Sequence, residues 1–284
     1  MRLAAEYLSA AAADRLQRIG FYMKKAVLFV AFAAIAANAM AWGRIGHEVI
    51  IKVAERHLTA KTKANIARYM PYDLKTDAVW MDVHRNDAPI AYTSPWHTYR
   101  VRENNEYDPN PRLVKGDVVK GIMVADYNLR RYRELTDSAV VMNLRMILHF
   151  VGDLHCPTHA YYPKISSSAW RCTLAGTKPD ENLFHGMYDD NIPNFLYRGK
   201  ESSEEVAARV DNLKKGAIRK IAAGTPAEWA GDCAERDLII YEWNPVGTKV
   251  LNPDTAEMSR DFIETQFRYA GYRLARLLNE YFDN

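Results

Sequence analysis

The stretch HFVGDLHCPTHAYYP, residues 149–163, concentrates side chains that bind metal ions. Residues four apart lie on one face of a helix, so His149 and Asp153 can reach the same ion. Pro157 ends the helix, and His159 lies just beyond the turn. The spacing therefore predicts a metal site at the end of a helix.

A second pair with the same spacing follows in ENLFHGMYDD, where His185 and Asp189 are again four apart. Imidazole and carboxylate are ligands that Zn²⁺ takes at ~2.0 to 2.2 Å. Sets of nitrogen and oxygen ligands without cysteine thiolates are typical of catalytic rather than structural zinc. The two pairs together indicate more than one zinc ion.

The residues from Met23 to Ala41 have the pattern of a secretory signal peptide. Two lysines precede an apolar run over residues 26–37, and an A-x-A cleavage site, residues 39–41, follows. A membrane anchor is the alternative, but the run is shorter than the ~20 apolar residues of a spanning helix. We expect a signal peptide over 23–41, export to the periplasm or the medium, and an artefactual extension over 1–22.

Cleavage after Ala41 would make Trp42 the first residue of the stretch WGRIGHEV, with His47 five residues on. A free α-amino group has a pKa of ~7.7 to 8.0, so a metal can displace its proton at neutral pH. The Trp42 carbonyl oxygen can close a chelate ring with that amine. Signal cleavage would then also complete a metal site.

Composition places the chain among ordinary globular proteins, with 26% charged and 48% hydrophobic residues in a length of 284. The formal net charge is +3, and removing residues 1–41 removes five basic and two acidic residues, which leaves zero. The charge therefore gives no evidence for a basic nucleic-acid-binding surface. Cys156, Cys172 and Cys233 allow at most one intramolecular disulfide, which we expect in an exported protein, and a thiolate ligand at Cys156 is the alternative.

The rest of the chain must supply helices that position these residues. Apolar residues recur at helical spacing over 47–69, 118–135, 139–154 and 204–222, and most clearly near the C-terminus from Ile263 to Tyr281. No strand alternation extends beyond a few residues, and we find no internal repeat. We therefore predict an all-α fold with a single compact multi-helix domain over residues 42–284.

Three ordered motifs carry a resemblance to a known family. W-G-x-x-G-H from Trp42, H-F-x-G-D-x-x-x-P-x-H from His149 and H-x-x-x-D from His185 resemble the S1/P1 nucleases, which are secreted zinc enzymes. Members hydrolyse single-stranded DNA and RNA and the 3′-phosphate of nucleotides. The likeness runs from Trp42 to about Asn279.

The resemblance implies a role for each matching position and a cleft with three Zn²⁺ ions. AVWMDVHR would supply Asp82 as a ligand and Arg85 as a phosphate-binding residue, both with catalytic roles, and SPWHTY would supply His97. The implied ligand sets are Asp82, His97, His149 and Asp153 for one ion; the Trp42 amine and carbonyl, His47 and the shared Asp153 for a close neighbour; and His159, His185 and Asp189 for a third.

Other residues near the motifs do not match a ligand position. We expect His57 and His84 to be surface or satisfied core residues and His155 to support the site without binding metal. Arg100 stands where relatives often carry a supporting aspartate. Aromatic residues that could stack on a base are Tyr92, Trp96, Tyr161, Tyr162 and Trp170, and each could equally serve packing.

The sequence thus predicts an exported, zinc-dependent phosphodiesterase that cleaves single-stranded DNA and RNA to 5′-phosphorylated products, with 3′-nucleotidase activity in addition. We expect a monomer without stable membrane association after signal cleavage. A zinc-dependent phospholipase C is the alternative enzyme, although its last pair is usually HxxxE. A zinc-binding protein without catalysis is the alternative from another class.

Overall fold

Helices dominate the chain, and the all-α prediction is confirmed. The structure, a computed structural model, describes residues 42–109, 115–177 and 181–283. The predicted signal peptide and the extension before it lie outside the described residues. The α-helices are α1 (Arg44–Glu55), α2 (Ala60–Ala67), α3 (Trp80–His84), α4 (Val118–Leu129), α5 (Asp137–Leu154), α6 (Phe184–Gly186), α7 (Ile192–Tyr197), α8 (Ser203–Val210), α9 (Lys215–Ala222), α10 (Pro226–Asp237), α11 (Ile239–Trp243), α12 (Pro253–Met258) and α13 (Arg260–Phe282).

Shorter helical turns and small strands complete the fold. Three-ten turns cover Leu74–Asp77, Ala91–Thr93 and Tyr132–Glu134, and a π-helical turn covers Met187–Asn191. The strands are β1 (Tyr99–Arg100), β2 (Ala160–Tyr161), β3 (Arg171–Leu174), β4 (Asn182–Leu183) and β5 (Val250–Leu251). β1 pairs with β2 in parallel, and β3 lies between an antiparallel β4 and a parallel β5.

The centre of the core is the buried helix α5. It begins at the cap residue Thr136, whose side chain accepts a hydrogen bond from the Ala139 amide, and it ends at Leu154 before the predicted break at Pro157. It packs against α1, α4 and α13. Its buried residues are apolar except for Asn143, His149 and Asp153, and the last two lie in its C-terminal part, so the packing brings them into the core.

The C-terminal amphipathic pattern is confirmed as α13, but two long predicted helices are each broken in two. The run over 47–69 is interrupted because Thr59 caps α2, accepting a hydrogen bond from the Thr62 amide at 3.0 Å. The run over 204–222 is interrupted at Asp211, whose carboxylate hydrogen-bonds with Arg56 and His57 after α1. In the run over 118–135, α4 ends at Leu129 and a three-ten turn follows.

The expectation of a disulfide is wrong, because Cys156, Cys172 and Cys233 are all free and buried. Each lies in a different environment. Cys172 is on β3, and the Cys233 sulfur on α10 accepts a hydrogen bond from Arg273 at 3.8 Å. The Cys156 sulfur faces a carboxylate, described below.

Candidate metal centre

Four segments of the chain bring five predicted ligands together in the core. His47 comes from α1, Asp82 from α3, His97 from the segment before β1, and His149 and Asp153 from α5. All five are buried. Buried polar atoms need partners, which here can come from one another, from the backbone or from a bound group.

The imidazoles of His97 and His149 and the carboxylates of Asp82 and Asp153 face one another. His97 Nδ1 lies 2.9 Å from Asp153 Oδ2 and 3.3 Å from Asp82 Oδ1. His149 Nε2 lies 3.2 Å from Asp153 Oδ2 and 3.6 Å from Asp82 Oδ1. Donor atoms bound at ~2.0 Å to one tetrahedral ion are about 3.3 Å apart, so these spacings fit a shared zinc ion.

The other carboxylate oxygen of Asp153 faces His47. His47 Nε2 lies 3.3 Å from Asp153 Oδ1, and the His47 ring stacks on the His149 ring with centroids 4.2 Å apart. The close approach depends on Gly152, where a Cβ would lie 2.6 Å from His47 Nδ1. One carboxylate therefore lies between two sets of imidazoles.

The third predicted set is formed by His159, His185 and Asp189. His159 Nε2 lies 3.0 Å from Asp189 Oδ1, and His185 Nε2 lies 3.0 Å from Asp189 Oδ2. The two rings stack with centroids 4.9 Å apart. His159 Nδ1 lies 4.0 Å from Asp153 Oδ1, so this set adjoins the first.

Short strands and a wide turn hold the third set in place. The Tyr99 amide donates to the His159 carbonyl at 3.0 Å in the β1–β2 pair, which ties the segment after His97 to the segment after His159. The His185 amide donates to the Ser167 carbonyl at 2.9 Å. Asp189 lies in the π-helical turn, a feature that often marks functional sites.

Backbone carbonyls orient two of the imidazoles. His149 Nδ1 donates to the Ala78 carbonyl at 2.9 Å, and His185 Nδ1 donates to the Thr158 carbonyl at 3.1 Å. Each bond turns the ring so that Nε2 points at a carboxylate. Outer hydrogen bonds of this kind fix the tautomer of metal-binding histidines.

Cys156 contacts the third set, whereas the sequence favoured a disulfide over a metal-site role for this residue. Its sulfur donates to Asp189 Oδ1 at 2.7 Å, and Cys156, His159 and Asp189 offer ligand atoms within 4.8 Å of one another. Burial and the Asp189 carboxylate raise the pKa of the Cys156 thiol well above its ordinary value. The proximity of Cys156 to His159 in sequence was the one available signal.

Trp42 lies near these sets, and its predicted role as a ligand stays a prediction. Its ring is buried 4.9 Å from the Phe267 ring, measured between centroids. The Gly43 amide donates to the Asp189 carbonyl at 2.5 Å, which anchors the start of the described chain to the π-helical turn.

Arg85 projects from the end of α3 beside the first set. Its Nη1 atom lies 3.7 Å from Asp82 Oδ1, and its Nη2 atom donates to the Ser94 carbonyl at 3.2 Å. These contacts hold a guanidinium next to the carboxylate at the edge of the cluster. A guanidinium presents paired donors that match phosphate oxygens.

The carboxylates of the cluster are held ionised. Burial acts to raise the pKa of Asp82, Asp153 and Asp189, but the neighbouring imidazoles lower all three, Asp153 well below its ordinary value. Burial lowers the pKa of His47 and His97. Burial likewise acts to lower the pKa of His149, but Asp153 and Asp82 raise it well above its ordinary value.

Many polar atoms of the cluster have no hydrogen-bond partner within the described part of the chain. They are both ring nitrogens of His47 and of His159, both oxygens of Asp82, His97 Nε2, Asp153 Oδ1 and Asp189 Oδ2. Orphaned buried polar atoms are costly, and atoms of this type and spacing are metal donors. The residues therefore fit bound divalent ions. Groups that could hold a metal include His47, His149 and Asp153, and also Asp82, His97 and His149.

The remaining histidines satisfy other partners, as expected. His57 Nε2 bonds with Asp211 at 2.7 Å, and His84 Nδ1 bonds with Asp87 at 2.7 Å. His155 is buried, its Nδ1 donates to the Val151 carbonyl and its Nε2 accepts from Arg273 at 2.8 Å, so its predicted support of the site stays a prediction.

Comparisons with known proteins agree with the motifs. The family model described as S1/P1 Nuclease matches residues 42–283. The chain is 28% identical to Endonuclease 2 of Arabidopsis thaliana over 249 residues, which covers 83% of this chain and 79% of that protein. It is 23% identical to Nuclease P1 of Penicillium citrinum over 271 residues, covering 84% of this chain and 97% of that protein. It is also 21% identical to Nuclease S1 of Aspergillus oryzae over 280 residues, covering 87% and 93%. The chain therefore belongs to the S1/P1 nuclease family of phosphodiesterases.

Proposed function

We propose that this protein is an exported zinc-dependent endonuclease that hydrolyses single-stranded DNA and RNA to 5′-phosphorylated products and also removes 3′-phosphates from nucleotides. The observation that supports it most is the position of Asp153, whose two oxygens face different imidazoles, beside a second set around Asp189 and next to Arg85. A zinc site with a purely structural role would need neither a carboxylate that faces two sets of histidines nor a guanidinium at the edge of the cluster.

We assign the nine predicted ligands to three Zn²⁺ ions. The first is held by Asp82, His97, His149 and Asp153. The second is held by His47, Asp153 and the amine and carbonyl of Trp42, and the third by His159, His185 and Asp189. When bound, zinc activates water near neutral pH and neutralises charge on the departing 3′-oxygen.

The protein's own groups bind and orient the substrate. Arg85 offers two N–H groups to a phosphate oxygen pair, and its contacts with Asp82 and Ser94 fix the direction of the guanidinium. Asp82, whose oxygens lack hydrogen-bond partners in the described structure, orients the attacking water. The neutral formal charge of residues 42–284 means that attraction of phosphate is local to the cluster.

One observation supports export, because the family match begins at Trp42, directly after the predicted cleavage site. As a separate finding, no helix among the described residues is long and apolar enough to cross a bilayer.

The test compares two zinc-loaded proteins, one beginning at Trp42 and one with an added alanine before it. We expect the first to release 5′-mononucleotides from single-stranded DNA and the second to be strongly impaired, because its Trp42 nitrogen is an amide. Equal activity would disprove the Trp42 chelate and leave the nuclease. Hydrolysis of phosphatidylcholine but not DNA would establish a phospholipase C, and full zinc occupancy without turnover of either would establish a non-catalytic protein.

A further inference from the structure

A pocket of about 530 Å³ lies beside the metal centre and has no part in the assignments above. Its walls come from the three-ten turn around Tyr92, from Ser94 and Trp96, and from Lys115 and Lys120 at the start of α4. This volume is within the ~300–1,000 Å³ range of small-ligand sites. The combination of aromatic rings and ammonium groups selects for ligands that carry a flat ring and negative charge.

The aromatic wall consists of one buried residue, Trp96, and one exposed residue, Tyr92. Trp96 is only 7% exposed, and its indole N–H donates to the Lys115 carbonyl at 2.6 Å. Tyr92 is 58% exposed and meets the Trp96 ring edge-on at 5.4 Å between centroids. This contact fixes the orientation of the Tyr92 ring, and the exposed part of the ring remains available for stacking with a base.

The basic wall presents two ammonium groups. Lys115 and Lys120 are exposed, and neither has an ion pair with a carboxylate among the residues that the structure describes. The neighbouring Asp117 is buried, and its carboxylate accepts hydrogen bonds from the Lys120 amide at 2.9 Å and the Tyr107 hydroxyl at 2.7 Å. Gly116 between them has a φ of +81°, and a Cβ there would lie 2.6 Å from Trp96 Nε1 and 2.9 Å from Lys120 Cδ. A glycine is therefore required for the basic wall to pack on the aromatic wall.

The pocket shares a residue with the proposed phosphate-binding group. Ser94 lines the pocket, and its carbonyl accepts the hydrogen bond from Arg85 Nη2 at 3.2 Å. Trp96 is followed directly by His97 of the first ligand set. A nucleic-acid strand whose phosphate binds Arg85 would therefore lie next to the pocket.

We propose that this pocket binds a further nucleotide of the single strand, with its base stacked on Tyr92 and its phosphates near Lys115 and Lys120. The inference rests on the proposed function and adds a subsite that favours longer strands over dinucleotides. Stacking of a base on an aromatic ring and pairing of phosphate with lysine are both independent of base identity. The subsite therefore contributes affinity without sequence preference.

The test uses the zinc-loaded protein beginning at Trp42 and compares kcat/KM for a thymidine dinucleotide with kcat/KM for a twenty-residue oligothymidylate. In wild type we expect a strong preference for the longer strand. We expect K115A/K120A to reduce that preference about tenfold and to lower the salt dependence of KM for the longer strand, because about 0.7 counterion is released per phosphate contact with a single strand. Y92A should reduce the preference by a similar factor, and Y92F should restore it, because the ring is retained.

The matched control is K61A/K63A on α2, which removes the same charge from exposed positions of a helix that contributes nothing to the cluster or the pocket. The control should retain the wild-type preference and salt dependence. If K115A/K120A and Y92A also retain them, the subsite is wrong and the nuclease stands. An equal loss on both substrates would likewise overturn the subsite, and a wild type that cleaves neither substrate would overturn the proposed function together with it.

Discussion

The contact between Gly152 and His47 offers a sharp test of the metal centre. Gly152 lies in the last turn of α5, immediately before Asp153. A Cβ at this position would lie 2.6 Å from His47 Nδ1 and 2.8 Å from His47 Cε1, whereas ordinary contact begins at 3.4 Å. In G152A the rigid His47 ring must therefore move by about 0.8 Å, and bond lengths in metal sites vary by only about 0.2 Å.

Two opposing terms determine the stability of G152A. Alanine in place of a helical glycine stabilises by about 0.5–1 kcal/mol, and overpacking a rigid core costs about 1–3 kcal/mol. We expect a net loss of about 0–2.5 kcal/mol in the free energy of unfolding, so the protein still folds. Displacement of His47 from Asp153 should lower zinc affinity and kcat/KM on single-stranded DNA by about 10- to 100-fold.

The assay combines zinc content after dialysis against a zinc buffer, kcat/KM on single-stranded DNA, and circular dichroism. G231A is the matched control, because Gly231 lies inside α10 and a Cβ there has its nearest atom at an ordinary 3.5 Å. We expect G231A to keep wild-type zinc content and activity. If G152A does the same, His47 is not held against Asp153 as the structure has it, and the assignment of His47 as a ligand is refuted.

Three further results are expected. C156A should weaken zinc binding by the Asp189 set about tenfold, and C156S, which keeps a donor, should weaken it less; identical competition curves against a chelating dye would contradict this. Removal of zinc should lower the melting temperature, since a ligand at 1,000 times its Kd stabilises by about 4 kcal/mol; an unchanged melting temperature would show that the ions do not bind in the core. Burial acts to raise the pKa of Asp211, but hydrogen bonds from Arg56 and His57 lower it, so its stabilisation is present above the unfolded pKa and is lost as pH falls through the folded value. In urea unfolding, D211N should therefore cost about 1–3 kcal/mol at pH 7 and progressively less as the pH falls below the unfolded pKa, and a cost that does not change with pH would exclude this linkage.

The sequence predicted helix faces better than helix ends. The apolar period in α5 and α13 is continuous, and both elements form as expected. The break before α2 depends on Asn279, whose side chain accepts a hydrogen bond from the Thr59 amide at 3.1 Å from 220 residues away in the chain. No local pattern contains that contact, so the periodicity around it suggested one helix.

The candidate site was predicted residue by residue because its ligands fall in ordered motifs. The folded chain brings His97 and Asp82 to the helix that carries His149, which spacing alone could not show. The thiol of Cys156 was assigned to a disulfide because an exported protein usually oxidises its cysteines. Its contact with Asp189 depends on how the π-helical turn meets the end of α5, and this is a property of tertiary packing.

Asp153 has a consequence for how this family of sites can change over evolutionary time. Its carboxylate lies within 4.0 Å of His47, His97, His149 and His159, so one substitution alters the surroundings of four imidazoles at once. A substitution at the margin of the cluster, for example at His185, changes few contacts, and a second substitution nearby can restore them. A substitution of Asp153 removes contacts with four histidines at once, and no single second substitution can restore all of them. Lineages that lose this carboxylate should therefore lose the whole centre rather than one ion.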